Sequence, residues 1–299
     1  MFVPHKSKRF VRYNTSMLDA FVLFPTWYQY SFVLGVGLII GSFLNVVIYR
    51  YHTGKSINGH SHCLSCGTPL RWYELFPLVS YLCLLGRCRG CGCKIPFRYF
   101  LVELGTATLF LLAFINFSTT LLFIFTLFLI AVLMVVAVYD IYHMVIPNQL
   151  VLQLGVLAGL YYLVQFGLTF ELSIFLSHLG ASFGAFMFYG GLWFVSKGRW
   201  IGFGDAKLAL PLGFILGAPA VFSFVVFSFW IGAVVSVALL GGPAFVGYIL
   251  ARYASDPVAN SYKSFTMKSE VPFAPFMILA FLAVYLYGFD VIALTALFI

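Results

Sequence analysis

The chain has 299 residues, is 62% hydrophobic and only 9% charged, and its mean hydropathy is +1.01. A soluble domain is nearer half apolar and a quarter charged, so this composition excludes an ordinary soluble globule and points to a polytopic membrane protein. A net charge of +8 on a soluble chain would argue for nucleic acid; on a membrane protein it reflects lysine and arginine collected on the inner side, and no nucleic-acid partner is expected.

Residues 1–27 form a basic N-terminal segment with Lys6, Lys8, Arg9 and Arg12. The apolar run 28–49 is too long for the core of a signal peptide and ends in "NVVIYR" rather than in small residues. It reads as a retained first transmembrane helix. Residues 50–98 are rich in Gly, Cys, Arg and Pro, and are too few to build a large core without a metal or disulfides. The remainder, 99–299, reads as a seven-helix membrane bundle. Its helices are predicted near 99–117, 119–139, 149–167, 174–194, 205–217, 220–249 and 272–290. The expected fold is therefore all-α and polytopic, with about eight transmembrane helices bathed in lipid and one small cytoplasmic insert. The pairs Gly37/Gly41, Gly180/Gly184 and Gly213/Gly217 have the spacing of close helix contacts, and Pro219 marks a break.

An outside N-terminus would put 50–98, 140–148, 195–207 and 250–271 in the cytoplasm. These segments hold seven, none, three and three of the 17 lysines and arginines; the four in the N-terminal tail count against this orientation. The orientation brings Asp140, at the inner end of one helix, to the same depth as Asp205, at the inner start of another.

All six cysteines lie between residues 63 and 93. Cys63/Cys66 and Cys88/Cys91 are two C-x2-C pairs, the spacing of paired knuckles that close a tetrahedral, structural Zn2+ site. Cys83, in "SYLCLL", reads as a packed small hydrophobe. Cys93 competes with Cys91 as fourth ligand, and His60 and His62 are weaker substitutes.

Of the nine acids, Glu103, Asp140, Asp205 and Glu270 are not placed by surface base rates alone. An intramembrane carboxylate is a functional hypothesis by default. Asp205, in "GFGDAKLALPLG", could also cap a helix start. Asp140 sits at a helix C-terminus, where the dipole disfavours an anion, so capping does not explain it. A pair explains both: two adjacent carboxylates share one proton and can activate water as an acid and a base. Gly202 and Gly204 would leave room for an extended substrate strand. Lys207 would hold a substrate acid or snorkel to lipid headgroups. Asn45 and Glu103 face the same inner region, with helix-packing hydrogen bonds as the plainer reading.

"GSFLNVVIYR" at 41–50, the paired knuckles, "DIYHMVIPN" at 140–148, "GFGDAKLALPLG" at 202–213 and "EVPFAPF" at 270–276 together resemble the bacterial type IV prepilin peptidases. The motifs stand in that family's order, across about residues 35 to 290. The resemblance implies an inner-membrane aspartyl protease with its active site at the cytoplasmic face. It would cut the short basic leader from prepilins or pseudopilins and, in most members, methylate the new N-terminus from S-adenosylmethionine. Carried over residue by residue, it implies Asp140 and Asp205 as the catalytic pair and Cys63, Cys66, Cys88 and Cys91 as zinc ligands; no residue is assigned to methyl transfer. The chain departs from the family pattern at Tyr142 and Asn148, where acids are frequent, and at Ala274, where Gly is usual. Two other readings are a presenilin-like protease, which lacks a knuckle insert, and a proton-coupled transporter, whose repeated hydropathy is not evident here.

Overall fold

A computed structural model describes residues 24–51, 59, 61–117, 119–167, 171–253 and 271–291; within 239–253 only the course of the helix is described. The N-terminal basic tail, His60, Asp256 and Glu270 lie outside these residues.

The described residues form α1 (Thr26–Arg50), a 3-10 turn (Trp72–Leu75), α2 (Val79–Cys83), α3 (Arg98–Asn116), α4 (Thr120–His143), α5 (Asn148–Phe166), α6 (Leu172–Ser196), α7 (Phe203–Leu216), α8 (Ala218–Tyr253) and α9 (Ala274–Tyr287). The only β pairing among them is two isolated bridges in the insert. Six helices, α1, α3, α4, α5, α6 and α8, are long and apolar enough to cross a membrane. In lipid every backbone amide must find its partner internally, which an unbroken helix provides. The chain is a multi-pass membrane protein.

The other two bundle helices, α7 and α9, are 14 residues each. At 1.5 Å per residue each is about 21 Å long, short of a hydrocarbon core of about 30 Å. They are tolerated because they are enclosed by protein. Leu208, Leu212 and Ile215 of α7, and Met277 and Phe281 of α9, are buried with Leu129, Leu133 and Val136 of α4 in one apolar core. The longer helices turn residues such as Leu152, Met187 and Val234 outward.

Two of the three predicted glycine contacts are present. A Cβ at Gly37 would lie 2.5 Å from the Ala107 Cα, and one at Gly41 would lie 2.8 Å from the Glu103 Cα, so α1 and α3 meet backbone to backbone. Gly213 packs α7 on α6 in the same way, 3.0 Å from the Ala181 carbonyl oxygen, and Gly217 lies against His178. Gly180 and Gly184, by contrast, face open space. The break before α8 falls at Gly217, whose φ of +73° favours glycine, with Pro219 in the first turn beyond it.

Gly37→Ala is expected to lower the thermal midpoint of the detergent-solubilised protein, by the equivalent of about 1–3 kcal/mol for an overpacked site. Gly184→Ala should leave the midpoint unchanged or raise it slightly. Equal midpoints for the two variants would contradict the α1–α3 contact.

Candidate active site and metal centre

Asp140 projects from the last turn of α4, which runs one turn further than the sequence pattern predicts and is capped by Met144 in the left-handed region (φ +52°). The backbone N–H of Met144 bonds the Asp140 carbonyl at 2.8 Å. Asp205 is the third residue of α7. Its Oδ2 accepts the Gly202 N–H at 3.1 Å, so Asp205 does secure the start of its own helix. The two acids are 5% and 6% exposed, line one cavity of about 680 Å³ and are close enough for each to feel the other's charge.

Asp140 is compensated from elsewhere. The N–H of Ala274, the first residue of α9, donates to its carboxylate. The positive end of α9 thus offsets the unfavourable dipole of α4. Sequence reasoning missed this contact. The signal was present in "FAPF", because Pro275 near a helix start announces free N–H groups beside it. Tyr189 was also missed: it is fully buried on α6, lies within electrostatic reach of Asp205 and shares a 2.7 Å hydrogen bond with Ser228.

The rest of the cavity comes from the α4–α5 turn and the start of α7. Lys207 donates to Asn148 Oδ1 at 3.0 Å and lies over the Phe203 ring, 4.9 Å from its centroid. Gly202 is exposed on the cavity wall. Gly204 has Ile146 against it, with a would-be Cβ 3.2 Å from the Ile146 Cβ, so a side chain here would press on the α4–α5 turn.

The insert gathers its thiols. The sulfurs of Cys63, Cys88, Cys91 and Cys93 lie within 4.8 Å of one another. Cys66 interacts with both Cys63 and Cys91, and its Sγ is 3.1 Å from the Thr68 hydroxyl. The two knuckles repeat one fold. Gly67 N–H bonds the Cys63 carbonyl and Gly92 N–H bonds the Cys88 carbonyl; Cys63 N–H bonds the Thr68 carbonyl and Cys88 N–H bonds that of Cys93. Gly67 and Gly92 have φ of +72° and +71°. In this repeat Cys66 corresponds to Cys91, and Cys93 stands where the first knuckle has Thr68.

Backbone N–H groups of Cys66 and Ser65 hold the Cys63 thiol down to about 6, and the Thr68 side chain and backbone lower Cys66. Cys91 is pushed up despite the Cys93 N–H, because the Cys93, Cys66 and Cys88 thiols crowd it. Thiols this close cannot all ionise without a cation among them, so the donor set fits a thiophilic metal. Cys83 differs from expectation: it is exposed at the end of α2, because that helix is only five residues long and buries no side chain.

Comparison with known proteins gives the following. The pattern described as "Bacterial Peptidase A24 N-terminal domain" matches residues 36–117, and "Type IV leader peptidase family" matches residues 127–237. Relatives named "Prepilin leader peptidase/N-methyltransferase" occur in several bacteria. The Myxococcus xanthus protein is 37% identical over 218 residues, 72% of this chain and 64% of that protein, so the match spans just under two thirds of it. The Bacillus subtilis protein is 32% identical over 258 residues, 86% of this chain and 94% of that one. The Vibrio cholerae protein is 32% identical over 266 residues, 84% and 93%. No solved structure gave a significant match.

Cys63→Ser and Cys88→Ser are each expected to reduce bound metal below half of the parent value, measured by elemental analysis of the purified protein. Cys83→Ser should retain it. Full metal content in both of the first two variants would discard this cluster as the binding site.

Proposed function

Because the chain belongs to the type IV leader peptidase family, we propose that it is an intramembrane aspartyl endopeptidase that removes the short basic leader of type IV prepilins or pseudopilins, with Asp140 and Asp205 as its catalytic pair. One observation carries the assignment of residues: two buried carboxylates from two different helices open into one cavity.

Two buried acids that open into one cavity share one proton, since a second negative charge in a buried site is costly. The ionised member takes a proton from a water. The protonated member donates to the oxygen of the scissile carbonyl as the water oxygen adds to its carbon. The tetrahedral intermediate then collapses, the C–N bond breaks, and the pair delivers a proton to the leaving amine. The Ala274 and Gly202 N–H groups hold the two carboxylates in place through this exchange. The exposed Gly202 leaves the backbone at the cavity wall open to an extended substrate strand, with Gly204 beside it. Lys207, steadied by Asn148 at the mouth, offers a cation to an acidic substrate residue.

The relatives' names support a second activity, N-methylation of the new N-terminus from S-adenosylmethionine. For the cysteine cluster we propose Zn2+ held by Cys63, Cys66, Cys88 and Cys91, the four positions related by the repeat of the knuckles. Four protein ligands leave no open position, so the ion braces the insert rather than the reaction. The lysine and arginine distribution supports an inner-membrane enzyme whose cavity opens to the cytoplasm.

Asp140→Asn and Asp205→Asn should each reduce cleavage of a synthetic prepilin by at least about a thousandfold, while both variants remain inserted and folded. Mass measurement of the products reads the outcome. Cleavage at the parent rate by either variant would refute the pair.

A further inference from the structure

The cysteine insert keeps a row of large apolar side chains outside its own core. Trp72, Phe76, Val79, Leu82 and Leu85 are all exposed, Trp72 by 74% and Leu85 by 85%, and α2 buries no side chain. On a surface bathed in water such a row is costly. It is also held at a cost to the backbone. Leu85 has a φ of +50°, a region that favours glycine, and its side chain finds little protein contact to offset the strain.

The row sits at the depth of the bilayer surface. The helix that follows the insert, α3, has 19 residues and is about 28 Å long, close to a hydrocarbon thickness of about 30 Å. It has no length to spare, so its first turn lies at the hydrocarbon boundary. The α2 segment packs on that turn. The Tyr81 ring centroid is 6.2 Å from that of Phe97 and 5.6 Å from that of Phe100, and the Leu78 N–H reaches Glu103 on the second turn. Leu101 and Leu104 carry the exposed apolar surface on along α3, a helix long and apolar enough to cross the membrane.

A cationic rim accompanies the row. Residues 71–98 hold Arg71, Arg87, Arg89, Lys94 and Arg98 against one acid, Glu74. The Arg71 and Arg89 guanidiniums both donate to the Tyr73 hydroxyl, at 2.9 and 2.7 Å. Trp72 stands beside them, its ring centroid 5.7 Å from that of Tyr73. Among the described residues no carboxylate forms an ion pair with either arginine; Glu74 Oε2 instead accepts the Arg71 backbone N–H at 2.8 Å. Two guanidiniums gathered on one neutral oxygen repel each other until an anion joins them, and phosphate oxygens match their forked donors.

We propose that residues 72–85 lie in the boundary between lipid headgroups and acyl chains, and that Arg71 and Arg89 there hold the phosphate of an anionic phospholipid. The inference rests on the chain's being a multi-pass membrane protein and is independent of what it cleaves. Continuity with the lipid-facing side of α3 selects the bilayer as the occupant of this face, rather than a second copy of the chain. The cationic rim selects a headgroup of net negative charge. Because Arg89 stands between Cys88 and Cys91, the second knuckle is tied to the bilayer surface as well as to the bundle.

The test uses the full chain in lipid nanodiscs. An environment-sensitive fluorescent amino acid at Leu82 should be quenched by lipids brominated on their acyl chains, to an extent similar to the same label at Leu101. A label at the exposed Ser65, on the first knuckle, should be quenched by aqueous iodide instead. Quenching of the Leu82 label by iodide alone would overturn the proposal. Shielding of that label from both quenchers would overturn it too, and would give the face to a second copy or another protein segment. Separately, native mass spectrometry after reconstitution in mixed lipid should show phosphatidylglycerol retained over phosphatidylcholine by about fivefold or more, and the Arg71→Gln/Arg89→Gln double variant should bring that ratio close to one. Equal retention of the two lipids by the parent, or an unchanged preference in the double variant, would overturn the headgroup site. Metal content and thermal midpoint check that the double variant is folded. If it is not, the single Arg71→Gln variant is read by the same ratio, and the Leu82 label decides the seating on a chain with both arginines intact.

Discussion

Two helix N-termini meet two carboxylates, and the rest of the bundle is arranged around that meeting. Asp205 sits in the first turn of its own helix and accepts the Gly202 N–H; Asp140 sits at the wrong end of its own helix and borrows the N-terminus of α9. Each acid therefore has a partial positive charge fixed against it, and among the described residues no lysine or arginine forms an ion pair with either. A full cation there would pin both acids as anions, whereas backbone dipoles stabilise charge without adding a counterion. The requirement propagates outward. Both short helices must begin at the depth of Asp140, so α7 must stop packing on lipid and become core, and glycines at 204 and 213 must admit its neighbours.

The sequence displayed most of the helices, because long apolar runs bounded by Pro, Gly and charge leave few alternatives in lipid. All eight bundle helices fall within a few residues of their predicted spans. The aspartates could be singled out because acids are so few. The donor to Asp140 could not, since it is a backbone group 134 residues away whose position depends on how α9 packs on α4. Spacing alone also cannot tell a glycine that meets a neighbour from one that meets lipid: Gly37 and Gly184 look alike in the chain and differ completely in their surroundings. Cys83 misled for a similar reason. Its apolar neighbours read as core, yet in so short a helix Val79 and Leu82 are themselves exposed.

The insert is tied to the bundle by a contact that composition does not reveal. Leu78, held at φ +57°, turns its N–H onto Glu103 inside α3. The backbone of the cysteine insert and a buried acid of the membrane bundle thus share one hydrogen bond. The same helix meets α1 through Gly41, directly at Glu103. Displacing the module would strip that acid of a donor, so the knuckles and the adjoining ends of α1 and α3 form one mechanical unit.

The brevity of α7 and α9 has a thermodynamic corollary for whatever anchored polypeptide the enzyme serves. Hauling each large aliphatic side chain up out of hydrocarbon would cost about 1.5–3 kcal/mol, so a catalyst perched above the headgroups would labour against several such side chains per turn. Here the helix that carries Asp205 and the helix whose first residue faces Asp140 are each about 21 Å long, too short to span a bilayer unaided.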